Sequence, residues 1–217
     1  YRLAPGHKWP AQIEDVKCAV RYLRAHAAEL GIDPSKLAAL GDSAGGHLAL
    51  LLGVMQPTDK LEGAGGNPDQ PSGVQAVINF AGPTDLRIWR IAPEAEAEFE
   101  SYHGRDSGGI LEDLLGTADR TASVMAQASP IHYVNTGDAP IITFHGDADT
   151  IVNVEQAKRF HQALDKAGIR NQLHVVENGV HGLNPEQVTE ATAKALAFIK
   201  ELFGEVPKPV APPVSNQ

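Results

Sequence analysis

The sequence predicts an α/β fold, a mostly parallel sheet flanked by helices. Short apolar and β-branched runs alternate with stretches whose apolar residues recur at helical spacing, the pattern of strands joined by crossover helices. One helical stretch is apolar on all sides, which places it inside the molecule rather than on its surface. The 217 residues, 42% of them apolar, suffice for one domain with a sizeable core.

Composition narrows the function classes. Eighteen Lys+Arg against 27 Asp+Glu leave a net charge of −9, so the basic face expected of a nucleic-acid binder is missing. No stretch approaches ~18 consecutive apolar residues, and no membrane span is expected. A single cysteine, Cys18, forms no internal disulfide. An enzyme or a small-molecule binder remains, with no compartment indicated and a homo-oligomer compatible with the composition.

Along the chain, Tyr1-Arg2-Leu3-Ala4-Pro5 shows neither an initiator Met nor a charged-then-apolar leader; it reads as the interior of a longer sequence. Ile13, Val16, Ala19, Val20, Leu23, Ala27 and Leu30 define one helix from Pro10 to Leu30, with Pro10 in its first turn and Gly31 closing it. Lys36 to Leu40 is a short apolar run ending at a glycine, and Ala44 to Met55 is the buried helix. Gln56 to Gly73, rich in Gly, Pro, Asp and Asn, is a surface loop. Val74–Phe80, Ile141–Phe144 and Leu173–Val176 are strands, and the last two are followed by helices over Val154–Ala167 and Pro185–Phe203. Residues 86–127, mixed and partly acidic, suit an excursion over the sheet edge. The domain thus spans 1–204, and 205–217, with four prolines, is a tail.

Gly41-Asp42-Ser43-Ala44-Gly45 matches G-x-S-x-G, flanked by an apolar run and an apolar helix. Chance placement would give roughly 0.07 such matches in a chain of this composition. The strand–turn–helix setting is that of a nucleophile elbow. A serine on so tight a turn tolerates only small residues two positions to either side, and the turn aims the first N–H groups of the helix at developing negative charge. A serine is inert at neutral pH without a base, and the base needs an orienting acid. Both belong downstream at strand ends. Ile141–Phe144 ends in His145-Gly146-Asp147-Ala148-Asp149, and Leu173–Val176 ends in Glu177-Asn178-Gly179-Val180-His181. Asp149 is favoured over Asp147 as the acid because it reaches further over the strand edge, with Asp147 left to brace the loop through backbone N–H groups.

His181 is the candidate base. His174 lies inside a strand and packs there; His47 packs behind the elbow; His145 is too close to the acid to be its partner. His7, His26, His103, His132 and His161 read as solvated imidazoles on loops and helix faces. No pair has zinc-ligand spacing, so neither metal nor cofactor is expected. Ala44 N–H is the candidate oxyanion donor, and Asp42, Leu86 and Val152 are candidate substrate contacts by their positions beside strand ends.

Tyr-Arg-Leu-Ala-Pro (1–5), Trp9-Pro10-Ala11, Ile13-Glu14-Asp15, Gly41-Asp42-Ser43-Ala44-Gly45-Gly46 and His145-Gly146-Asp147-Ala148-Asp149 resemble the α/β-hydrolase esterases of the hormone-sensitive-lipase-like and carboxylesterase groups. Leu61-Glu62-Gly63, Asn67-Pro68-Asp69-Gln70, Gly82-Pro83-Thr84-Asp85-Leu86 and Ala128-Ser129-Pro130-Ile131 are similar to the acetyl-xylan and feruloyl esterase-like (BD-FAE-like) subgroup. The likeness covers about residues 1–203. It implies an α/β-hydrolase fold, hydrolysis of small-molecule carboxylic esters with Ser43 as nucleophile, Asp149 as acid and His181 as base, and a cap within 86–127. The resemblance also implies a His-Gly-Gly oxyanion loop and early strands upstream of Tyr1, which this sequence does not contain. Either the chain is a fragment, or its upstream residues lie outside this sequence, or another chain completes the sheet. One lost oxyanion donor costs roughly 10²–10³ in kcat, so the chain alone is expected to be a poor catalyst. Two other functions share these residues. Prolyl-oligopeptidase-like peptidases carry a similar His-Gly-x-x-Asp and late His, and a degenerate hydrolase fold can serve binding alone.

Overall fold

A computed structural model describes residues 1–204; the tail expected over 205–217 lies outside the described residues. In chain order the elements are α1 (Ala11–Ala25), α2 (Ala27–Leu30), β1 (Ala38–Asp42), α3 (Ala44–Val54), β2 (Ala76–Phe80), α4 (Pro93–His103), α5 (Ser107–Leu115), α6 (Ser123–Gln127), β3 (Ile141–Gly146), α7 (Glu155–Ala167), β4 (Asn171–Val176) and α8 (Pro185–Phe203). The strands form one sheet in the order β1-β2-β3-β4, every pair parallel. All four carboxyl ends therefore lie along one rim, where the loops that follow them meet.

The pleat sorts the core. Val77 on β2 and Ile141 on β3 are register partners and face a cluster built by α1, α3 and α7, including Ile13, Leu51 and Phe160. Their neighbours Ile78 and Ile142, also partners, face the other way with Phe144 against Ala191, Ala195 and Phe198 of α8. Side chains alternate faces along a strand, so a one-residue slip would exchange the two cores. Helix α3 is apolar all round because it sits between β1, β2 and α1, with Leu50 and Leu51 wholly buried. Each such leucine stabilises by roughly 1.5–3 kcal/mol. On β1 the alternation leaves Leu40 66% exposed, and the outer edge of this strand has no strand partner among the described residues.

The expected strands and helices are present with shifted ends. The helix expected from Pro10 to Leu30 is two: the chain leaves helical geometry at His26 (φ −105°, ψ 17°) and resumes as α2, while Pro10 precedes α1. Strand β3 runs two residues beyond Phe144 and takes in His145 and Gly146. The loop over 56–73 contains a 3₁₀ turn at Pro57–Asp59 and is bound to the polar face of α1. Lys17 Nζ donates to Glu62 Oε1 at 2.8 Å and Arg21 Nη1 to Oε2 at 3.0 Å; both cationic side chains are only 2% exposed. One helical turn on, Arg24 donates to the carbonyls of Pro34 and Pro71 and to Gln75 Oε1. The excursion over 86–127 holds α4, α5 and α6 around a cluster of its own, with Leu86, Phe99, Leu111, Leu115 and Met125. Among the described residues no helix is long and apolar enough to cross a membrane.

Glu62 is the anion that allows Lys17 and Arg21 to be buried. Burial of its carboxyl pushes the pKa up, but hydrogen bonds from Lys17 and Ser72 and the charges of Lys17 and Arg21 outweigh this and leave it below 4.5. Its contribution is therefore present above pH 4.5 and is lost as pH falls through the depressed value. Glu62→Gln strands two buried cations, and a loss of about 3 kcal/mol at pH 7 is expected by urea unfolding. The same comparison in acid, where Glu62 is protonated, should show the gap closing.

Candidate active site

Ser43 follows β1 directly and caps α3 with φ 51° and ψ −117°, a conformation that L residues rarely adopt. The turn is locked from both sides. Ser43 N–H donates to Phe80 O at 2.8 Å, the end of β2, and His47 N–H donates to Ser43 O at 2.9 Å. A Cβ at Gly41 would run into the carbonyl of Gly45, so the chain can double back only with glycine there. Gly45 itself has open space around an added Cβ, whereas one at Gly46 would collide with Asn79 Oδ1, so on the helix side the demand for a small residue falls one position further along. Ser43 is half-buried, and the N–H of the exposed residue Ala44 beside it belongs to the first turn of α3, where backbone donors have no intrahelical partner.

The loops after β3 and β4 cross at two glycines. A Cβ at Gly146 would collide with the carbonyl of Gly179, and Ala148 N–H donates to that carbonyl at 3.0 Å. The crossing brings Asp149 and His181 together. His181 Nδ1 lies 2.8 Å from Asp149 Oδ2, and Ser43 Oγ donates to His181 Nε2 at 2.9 Å. Three side chains spread over 138 positions thus form one hydrogen-bonded series. Asp149 is buried, and its Oδ1 accepts the N–H groups of Ile151 (2.9 Å) and Val152 (2.8 Å). Burial raises its pKa, but hydrogen bonds from His145, His181 and Val152 N–H outweigh this and hold the carboxyl far below the usual carboxylate range. For His181, burial lowers the pKa; the hydrogen bond and charge of Asp149, with the charge of Asp42, reverse this, and the ring is raised above 6.5.

A depression of about 350 Å³ opens at Ser43 and His181. Thr150, Ile151 and Val180 line one part of it, and Ala95, Glu98, Phe99, Tyr102 and His103 of α4 line the other. The α4 residues recur at helical spacing on a largely acidic helix, a pattern legible in the sequence once the helix is known to face the rim. Trp89 Nε1 donates to Ile151 O and Ala92 N–H to Thr150 O, so the excursion is fastened to the loop that carries the acid.

Several expectations are corrected. Leu86 and Val152 do not line this depression; they are buried in the excursion's cluster, because the chain turns inward at both points to close that core. Asp42 is exposed and reaches His181 through its charge, not as part of the lining. Asp147 is exposed and makes no side-chain hydrogen bond among the described residues; Asp149 braces the loop itself, since its residue is the one turned inward. His161 is buried rather than solvated, with Nδ1 2.7 Å from Asn171 Oδ1, because its face of α7 packs on the sheet. His145, set aside as too close to the acid, has Nε2 3.3 Å from Asp149 Oδ2. His47 is buried behind the elbow, with Nε2 2.6 Å from Ala128 O, and His174 stacks on Phe144. No group of three or more His, Cys, Asp or Glu among the described residues could hold a metal ion.

The BD-FAE family model matches residues 1–164. Esterase LipC of Mycobacterium tuberculosis is 36% identical over 183 residues, 82% of this chain and 41% of LipC. The chain spans about two fifths of the length of LipC and of the related M. tuberculosis proteins LipM and LipQ. Among solved structures, a truncated carbohydrate esterase from gut microbiota superposes with a TM-score of 0.77 at 29% identity, covering 91% of this chain and 70% of that one. A thermophilic esterase of Thermogutta terrifontis, Est2, with propionate bound, gives a TM-score of 0.72 at 30% identity, with 94% and 70% covered.

The two elbow glycines should respond differently to a single methyl group. Gly41→Ala forces the turn apart and is expected to cost about 3 kcal/mol or more. Gly45→Ala, with free space, should stay within about 1 kcal/mol of the parent. Thermal unfolding of the two variants side by side makes the measurement; equal losses would contradict the asymmetry.

Proposed function

The chain belongs to the BD-FAE family and has the α/β-hydrolase fold, and from this we propose that it hydrolyses carboxylic esters through a serine acyl-enzyme. The observation that carries the reading is the series Ser43 Oγ–His181–Asp149, at 2.9 and 2.8 Å, opening on a depression large enough for a small ester. His181 takes the Ser43 proton as Oγ attacks the substrate carbonyl, and Asp149 fixes the imidazole tautomer and offsets the imidazolium charge. Ala44 N–H holds the oxyanion at the positive end of α3. Collapse of the tetrahedral intermediate breaks the C–O bond to the alcohol, which leaves with the proton from His181. Water, deprotonated by the same ring, then attacks the acyl-enzyme, releasing the acid and restoring Ser43.

The substrates are short-chain acyl esters, carbohydrate-linked acetyl or feruloyl esters among them. The size of the depression, about 350 Å³, supports a short acyl group, as do the propionate held by Est2 and the likeness to a carbohydrate esterase. The excursion over 86–127 acts as a cap, with α4 forming the wall that the substrate meets.

The protein should be labelled covalently on Ser43 by an active-site phosphonate and should turn over p-nitrophenyl acetate; Ser43→Ala should abolish both, and labelling that persists in this variant would remove the reading. Aminoacyl anilides should be poor substrates beside aryl esters of similar size. The pH profile follows from His181, which serves as base only when neutral. Its pKa is raised, so the acid limb of kcat/KM should have its midpoint above 6.5. In Asp149→Asn the pairing charge is gone: kcat should fall by about 10⁴ and the limb should move down.

A further inference from the structure

His145 is a buried imidazole for which the proposed chemistry has no use. Its side chain is 0% exposed. It occupies the penultimate position of β3, in register with Val175 of β4, so its backbone is held by the sheet rather than by the loop. Nε2 lies 2.6 Å from Val152 O, its hydrogen-bonded partner, and 3.3 Å from Asp149 Oδ2 as a secondary neighbour. Both neighbours are acceptors, so Nε2 carries the proton; Nδ1 is buried with no hydrogen-bond partner among the described residues. Leaving a polar atom unpaired has a cost that an apolar residue in this position would avoid.

The contacts close a circuit. Asp149 Oδ1 accepts from Val152 N–H at 2.8 Å, and Val152 O accepts from His145. Val152 is thereby gripped at both ends of its backbone, and the acid is tied through it to a rigid strand. Asp149 Oδ2, the oxygen that meets His181, is the one His145 approaches. We propose that His145 is a positioning residue that fixes the Asp149 carboxylate, through Val152 O and its own N–H, in the orientation His181 requires. The inference rests on the Ser43–His181–Asp149 reading. The charged groups that bear on His181 are Asp149 and Asp42.

The test compares His145→Phe, His145→Asn and His145→Gln. Phenylalanine keeps a ring without a donor; the asparagine amide falls short of both oxygens; the glutamine amide places an N–H where Nε2 stands. NMR titration of ¹⁵N-labelled imidazoles reads the His181 pKa directly, whether or not the protein turns over esters. In the Phe and Asn variants it should fall back toward 6.5 as the carboxylate loosens, and in Gln it should stay at the parent value. Where turnover is measured, kcat should drop by about 10–100-fold in Phe and Asn with KM within about two-fold, and recover in Gln. If Phe does not fold, Asn carries the comparison. An unchanged or raised His181 pKa in both donor-less variants, or a Gln variant indistinguishable from them, would overturn the role and leave His145 a packing residue. A wild-type protein without ester turnover counts against the esterase reading alone.

Discussion

The structure depends on one strained residue. Ser43 at φ 51° and ψ −117° costs on the order of 1–3 kcal/mol, and it persists because the surroundings over-determine it. Its N–H is taken by the end of β2, its carbonyl by His47 N–H, and the chain on its strand side has no Cβ where the first turn of α3 passes. These constraints need β1 beside β2 in the observed register, and they need α3 to be immersed in the core so that it cannot lift away. The apolar mass of the domain thus keeps one hydroxyl above the rim.

The acid is built into its loop rather than hung from it. Asp149 has two backbone N–H groups on one oxygen and two imidazoles near the other, with the glycine crossing of Gly146 and Gly179 setting the distance between the two loops. Burial alone would favour the protonated carboxyl; hydrogen bonds from His145, His181 and Val152 N–H, with the charge of His181, reverse that preference. Charge at the site is then concentrated in a carboxylate held through both of its oxygens.

Much of this was legible in the sequence where periodicity is strong. The limits Pro185–Phe203 of α8 coincide with its proline and its apolar repeat, and β2 and β3 announce themselves by Val, Ile and Phe. Ser43, Asp149 and His181 were each legible as strand-end positions, and the structure brings them within hydrogen-bonding reach. What escaped is what tertiary contact decides. His26 is no helix breaker, so nothing local marks the division of α1 from α2. His145 and Gly146 resemble loop chemistry, yet register with Val175 and Val176 keeps them in β3. Leu86 and Val152 sit beside strand ends in sequence, but the excursion's own core claims them. Nothing local marks the cations on α1 as buried, because their carboxylate partner lies more than forty residues away.

Trp9 packs against both the sheet-side cluster containing Leu48 and Phe160 and the separate cluster of the excursion, where Phe99 is buried. Apart from Trp9 and the loop residues Ile151 and Val152, the wall facing Ser43 draws its rigidity from residues that do not support the strands. Changes far from one another in a structure tend to add independently. The exposed residues of α4 are therefore free to change with little effect on the strands, whereas a change on its buried face reaches the Asp149 loop through Val152.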